Sequence, residues 1–160
     1  MVVTETQSFR GTWLMYLVIL LELPGLVLIS TFYYLDQLGD DGWIPLLIMI
    51  AVIGGTFLLI ASLKLETRMD RYSFSYRNPP FVASWRKLNP EEITSIQVEK
   101  KDGILDHGGY GIRFGRKKTG YIYFANHLIR VVTQKKTLEF TTRKPEEFQK
   151  MITQWNTENS

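Results

Sequence analysis

The chain contains no cysteine, and only two of its 160 residues are histidine. A disulfide framework and a thiolate metal centre are therefore excluded, and the composition fits a reducing compartment. Asp102, Asp106 and His107 are the one cluster with metal-ligand chemistry. His127 lies in a separate turn, so the spacing argues against zinc. No Gly-x-Ser-x-Gly nucleophile elbow exists, which leaves His107-Gly108-Gly109 without a partner for acyl transfer. Gly109-x-Gly111-x-x-x-Gly115 misses the dinucleotide fingerprint by one position and falls in a strand pattern, where close backbone packing explains it. Glu91-Glu92 and Glu146-Glu147 sit at turn and helix starts. These absences leave no catalytic residue, metal ligand or cofactor site, and the expectation is a protein that is not an enzyme.

Charge is also missing from two long stretches. Residues 12–35 and 43–63 are almost uninterruptedly apolar, and each exceeds the roughly 20 residues needed to cross a hydrocarbon core about 30 Å thick. Neither has the polar stripe of a helix buried in a soluble bundle. The first run is too long for a signal peptide, whose apolar part has about 7 to 15 residues. Trp13, Tyr16, Phe32, Tyr33, Tyr34 and Trp43 flank the runs where amphipathic rings favour the headgroup level. The sequence thus predicts a short N-terminal segment (1–11), a two-helix transmembrane hairpin (12–63) with an outer loop at 36–42, and a soluble domain from residue 64 to 160. The loop DQLGDDG has no Lys or Arg, whereas Arg10 precedes the first span and Lys64, Arg68, Arg71 and Arg77 follow the second. The positive-inside rule then places both termini in the cytoplasm and the protein in the inner membrane as a multi-pass chain.

Glu22 is the exception within the first span. At 1.5 Å per residue it stands about 15 Å from Thr12, near mid-bilayer. An ionised carboxylate is expensive there, and no Lys, Arg or His lies in either span to pair with it. The expectation is a neutral acid that donates a hydrogen bond to a carbonyl or to a neighbouring chain. Three roles stay open: glue within the hairpin or a homo-oligomer, contact with a membrane-protein partner, and proton or ion coupling. Pro24 removes a backbone donor and is expected to bend the helix. Counting from the loop puts Gly25 and Gly54 at similar depth, and Ala51 with Gly55 adds a small-xxx-small spacing, so Gly25, Ala51, Gly54 and Gly55 are expected to pack the helices together.

From Lys64 onward there are 18 Lys+Arg against 11 Asp+Glu, a net +7 that would draw the module toward an anionic inner leaflet. Its pattern is mostly of period two. Seven strands are expected around Tyr72–Tyr76, Phe81–Trp85, Ile96–Val98, Tyr110–Phe114, Tyr121–Phe124, Leu128–Val132 and Leu138–Phe140, separated by turn-forming residues. LKLETRMD reads as a connector. The period then lengthens: Phe148, Met151, Ile152 and Trp155 recur at i, i+3, i+4 and i+7 after Pro145, predicting a helix over 145–157 that caps the sheets. The fold class is a transmembrane α-helical hairpin plus an α+β cytoplasmic domain, a seven-stranded β-sandwich or partly open barrel.

The order of seven strands and a capping helix resembles the pleckstrin-homology (PH-like) superfold. The segments NPEEI (Asn89 to Ile93), GYGIRF (Gly109 to Phe114), GY (Gly120-Tyr121), IRVV (Ile129 to Val132) and LEFTTRKPEEF (Leu138 to Phe148) are similar to those of small bacterial membrane proteins with a transmembrane hairpin and a PH-like domain. That resemblance implies a fold and no catalytic residues. It also implies where a phosphoinositide would be gripped, at the first hairpin loop, and here that loop is Asn78-Pro79-Pro80 rather than basic. The nearest basic clusters are Arg116, Lys117 and Lys118 in one turn and Lys135 and Lys136 in another. Two roles are open for them: solvated turns, or contact with anionic lipid. No base-stacking platform points to nucleic acid. The expected function is an interaction or assembly module held at the inner leaflet; the alternative is an accessory subunit of a transporter or membrane enzyme that uses Glu22.

Overall fold

A computed structural model describes residues 2–101 and 109–158. The chain divides into two compact units. One comprises the residues up to Ser8 together with those from Lys64 onward; the other is Phe9–Leu63. The apolar hairpin is thus an insertion inside the β-rich unit. The Asp102, Asp106 and His107 cluster lies outside the described residues.

The inserted unit is two helices, α1 (Trp13–Tyr34) and α2 (Trp43–Ser62), each long and apolar enough to cross a membrane. Neither helix is buried within this chain among the described residues: α2 has no buried residue and α1 buries Met15 alone. α1 continues through Pro24 without interruption. Its half-buried residues Val18, Glu22, Gly25 and Ile29 recur at three- and four-residue spacing, as do Met49, Ile53, Thr56 and Ile60 on α2. Such stripes are the seam of an antiparallel pair.

The second unit contains nine strands among the described residues rather than seven. A four-stranded sheet has the order β1 (Val3–Ser8), β2 (Lys64–Met69), β3 (Phe74–Asn78), β4 (Val82–Leu88), all antiparallel. A five-stranded sheet comprises β5 (Ile93–Lys100), β6 (Gly111–Phe114), β7 (Lys118–Ile122), β8 (His127–Thr133) and β9 (Thr137–Thr142), in the order β5-β8-β9-β7-β6. Within it β7 and β9 run parallel, because the β8–β9 hairpin places β9 between β8 and β7. A 3-10 turn at Pro90–Glu92 links the sheets and is held by a capping box between Asn89 and Glu92.

The segment expected as a short tail is β1, and the expected connector LKLETRMD is β2. They pair from Val3↔Met69 to Ser8↔Lys64. β1 turns Val3, Glu5 and Gln7 inward, and all three are buried. The two polar side chains are satisfied by the end of β9. Glu5 accepts from Thr142 Oγ1 (2.6 Å), the Arg143 backbone N–H (2.8 Å) and Gln7 Nε2 (2.7 Å). Gln7 Nε2 also donates to the Thr141 carbonyl at 2.7 Å, and Thr141 Oγ1 lies 3.1 Å from Gln7 Oε1. A buried carboxylate is tolerated there because each oxygen has a donor.

The apolar core fills the space between the sheets. Phe74 and Tyr76 of β3 meet Phe140 of β9 at ring-centroid distances of 5.2 and 4.8 Å, and Tyr121 of β7 stacks on Phe140 at 5.2 Å. Helix α3 (Pro145–Glu158) lies against β5, β8 and β1 and buries Phe148, Met151, Ile152 and Trp155, the four residues its periodicity picked out. Burying side chains of this size contributes roughly 1.5–3 kcal/mol each. Trp155 also donates from Nε1 to the Asp70 carbonyl at 2.9 Å.

Candidate functional site

Two places in the molecule gather chemistry that packing alone does not demand. The first is the basic pole of the β-rich unit. Sequence places Arg116, Lys117 and Lys118 in one turn and Lys135 and Lys136 in another. The parallel pairing of β7 with β9 sets Lys118 opposite Thr137, and the Thr137 N–H donates to the Lys117 carbonyl at 2.9 Å. Both turns therefore occupy the same end of the sheet. Gly115 makes the first turn possible: a Cβ there would stand 2.6 Å from the Lys118 carbonyl oxygen.

The five cations are not equivalent. Lys118 Nζ pairs at 2.8 Å with Glu139, which is 1 % exposed. Arg130 Nε reaches the same carboxylate at 3.1 Å while its Nη1 pairs with Glu99 at 2.9 Å. Lys118 thus belongs to an ionic ladder across β7, β9, β8 and β5, and its charge is spent on a buried acid. Arg116, Lys117, Lys135 and Lys136 are exposed and have no ion pair among the described residues.

The pole extends to residues of the other sheet. A cavity of about 390 Å³ opens between the end of β4, the 3-10 turn and the β8–β9 turn. Arg86 and Lys87 contribute from β4, and Lys135 and Lys136 from the opposite wall. Tyr76 and Leu138 form its apolar part, and Glu91 and Glu92 are the acids on its rim. Burial raises the pKa of Tyr76 and Tyr121, while the nearby Arg86 charge acts to lower both. Arg86 and Lys87 lie about 50 residues from Lys135 and Lys136 in the sequence. Their approach to Lys135 and Lys136 needs both sheets in place.

The second place is the helix seam. Glu22 lies on it, and its Oε2 is fully enclosed with no hydrogen-bond partner among the described residues. Thr31 and Ser62 return their hydroxyls to the carbonyls of Val27 and Leu59 on their own helices. Gly25 is a contact point, where an added Cβ would meet Met49 Cε at 2.7 Å. Gly54 and Gly55 have open space where a side chain would stand, and Ala51 is exposed. Depth counting paired Gly25 with Gly54, but the partner is Met49. Five residues at 100° each place Gly54 about 140° around α2 from that contact, on its outer side.

Among the described residues no group of three His, Cys, Asp or Glu side chains is placed to hold a metal. No family model, curated protein or solved structure matches the chain.

Proposed function

We propose that the protein is a non-enzymatic, membrane-anchored assembly module, with a PH-like domain held at the cytoplasmic face of the inner membrane by a two-span hairpin. One observation carries it: β1 and β2, the strands on either side of the hairpin, are antiparallel neighbours in register from Val3↔Met69 to Ser8↔Lys64. Two spans whose flanking strands pair must return the chain to the side it left. The Lys and Arg excess beyond Lys64, against a loop with none, puts that side in the cytoplasm. A domain so held samples a thin layer beside the bilayer, where weak contacts with anionic lipid or a protein partner suffice by effective concentration.

The PH-like assignment draws on two facing sheets and a C-terminal helix with its apolar side buried. Reporter fusions after Ser160 and within Asp36–Asp41 test the topology. Activity of a cytoplasm-dependent reporter at the loop, or of an exported reporter at Ser160, sinks it.

Glu22 favours a second role, as an accessory subunit of a transporter or membrane enzyme, because an acid inside a span whose Oε2 finds no donor among the described residues is a functional suspect. Purification in mild detergent of the wild-type chain and of Glu22→Gln separates the two. A stoichiometric membrane partner lost in Glu22→Gln supports the accessory role, whereas a lone homo-oligomer in both rules it out.

A further inference from the structure

The cavity at the basic pole has the composition of a ligand site. Its four cations come from two separate elements, Arg86 and Lys87 from β4 and Lys135 and Lys136 from the β8–β9 turn. Packing does not require them, since all four are exposed and none has an ion pair among the described residues. Like charges converging on one concavity repel, and nothing in the fold forces that arrangement except the positions of the two turns. Glu91 and Glu92 offset part of the charge, but Glu92 is engaged at the Asn89 backbone N–H (2.9 Å), and the lining still has four cations against two acids. Tyr76 is 3 % exposed and lines the cavity, where its phenol supplies one O–H donor. At about 390 Å³ the cavity suits a small molecule rather than a macromolecular segment.

We infer that this cavity binds a phosphate monoester, its dianion held between Arg86 of β4 and Lys135–Lys136 and its organic body resting on Tyr76 and Leu138. A guanidinium fork with several ammonium groups is the donor set that suits a tetrahedral dianion, and a carboxylate would use less of it. The site is independent of any assembly role, and would stand if no protein partner existed.

The phosphate can come from a soluble metabolite or from a lipid headgroup, and the test has an arm for each. The full chain in phosphatidylcholine nanodiscs is titrated with phenyl phosphate by calorimetry, and the titration is repeated in discs that also contain phosphatidic acid. Saturable binding in the neutral discs is expected. If phosphatidic acid abolishes it by competition, the same site takes a lipid headgroup; if binding persists, the soluble source is favoured. Lys135→Ala/Lys136→Ala and Arg86→Ala should each weaken binding roughly tenfold or more, Tyr76→Phe should weaken it less, and Glu91→Gln should tighten it. Arg116→Ala/Lys117→Ala removes two charges from the neighbouring turn, outside the cavity lining, and should leave affinity within about twofold. No saturable binding in either disc overturns the inference. So does an equal loss in Arg116→Ala/Lys117→Ala, which would mean diffuse attraction instead of a site.

Discussion

Replacing Glu5 with alanine should cripple the β-rich unit, although residue 5 belongs to a polar N-terminal segment. Its carboxylate receives three donors: Thr142 Oγ1, the Arg143 N–H and Gln7 Nε2. Gln7 retains its bond to the Thr141 carbonyl, so two donors lose their acceptor outright. Thr142 is fully buried, and stranding such a donor costs about 1–3 kcal/mol. Two of them, with the void where the side chain stood, cost about 3–5 kcal/mol. That is a large share of a typical stability of about 5–15 kcal/mol. Glu66→Ala, which removes a partly exposed pair with Arg77, is the control and should cost at most about 1 kcal/mol. Thermal unfolding of the full chain in mild detergent, followed by near-ultraviolet circular dichroism of the Tyr and Phe core, reads both. At about 4–8 °C per kcal/mol for a unit of this size, Glu5→Ala should melt more than about 10 °C below wild type. Glu5→Gln should fall between, because its amide nitrogen turns a donor toward donors. Equal melting of Glu5→Ala and Glu66→Ala would refute the role given to β1.

Three further outcomes follow from the same packing. Joining Ser8 to Lys64 through Asn-Gly, which suits a two-residue hairpin between directly paired residues, should give a water-soluble, cooperatively folded domain, whereas residues 64–160 alone should aggregate; size-exclusion chromatography distinguishes them. Glu139→Ala should destabilise by about 1–3 kcal/mol in the same melts, because it takes a buried acceptor from Lys118 and Arg130, which are themselves partly exposed, and Lys118→Ala should lower stability more than Lys117→Ala does. Burial pushes the Tyr123 pKa up to about 12 against a hydrogen bond from Asn78 that lowers it, so its stabilising contribution is complete below pH 10 and is lost as pH rises from 10 through about 12. Tyrosinate absorbance should therefore rise together with unfolding in that window, and a stability unchanged across it would contradict the burial.

What the sequence disclosed was whatever local pattern could carry. Both apolar helices begin and end within a residue or two of the expected bounds, because lipid solubility needs only a continuous run. All four apolar residues of α3 are buried, because a 3.6-residue period is visible in one element. β1 was missed for the opposite reason. Two of its three inward residues, Glu5 and Gln7, are polar, so no apolar alternation shows, and the donors that make Glu5 tolerable lie at the far end of the chain. β2 was missed because Thr67 interrupts the apolar alternation of Leu65 and Met69. The basic pole was legible as two separate clusters. Its cavity was not, since that depends on β4 of one sheet reaching the β8–β9 turn of the other.

The position of the hairpin within the β1–β2 connection changes what tethering means. A domain that merely followed a membrane anchor would hang from one chain and swivel about it. Here the two ends of the hairpin lead toward adjacent strands at paired residues, Ser8 and Lys64, whose Cα atoms are held about 5 Å apart by the ladder. Lys64 is clasped further, its N–H donating to the Pro79 carbonyl at 3.3 Å and its carbonyl accepting from Asn78 Nδ2 at 2.7 Å. Asn78 is wholly buried and also donates to Tyr123 at 2.7 Å. Both strand ends are therefore fixed within the β-rich unit. Loss of β1, which is held by Glu5 and Gln7, would leave the hairpin joined to the folded strands through β2 alone.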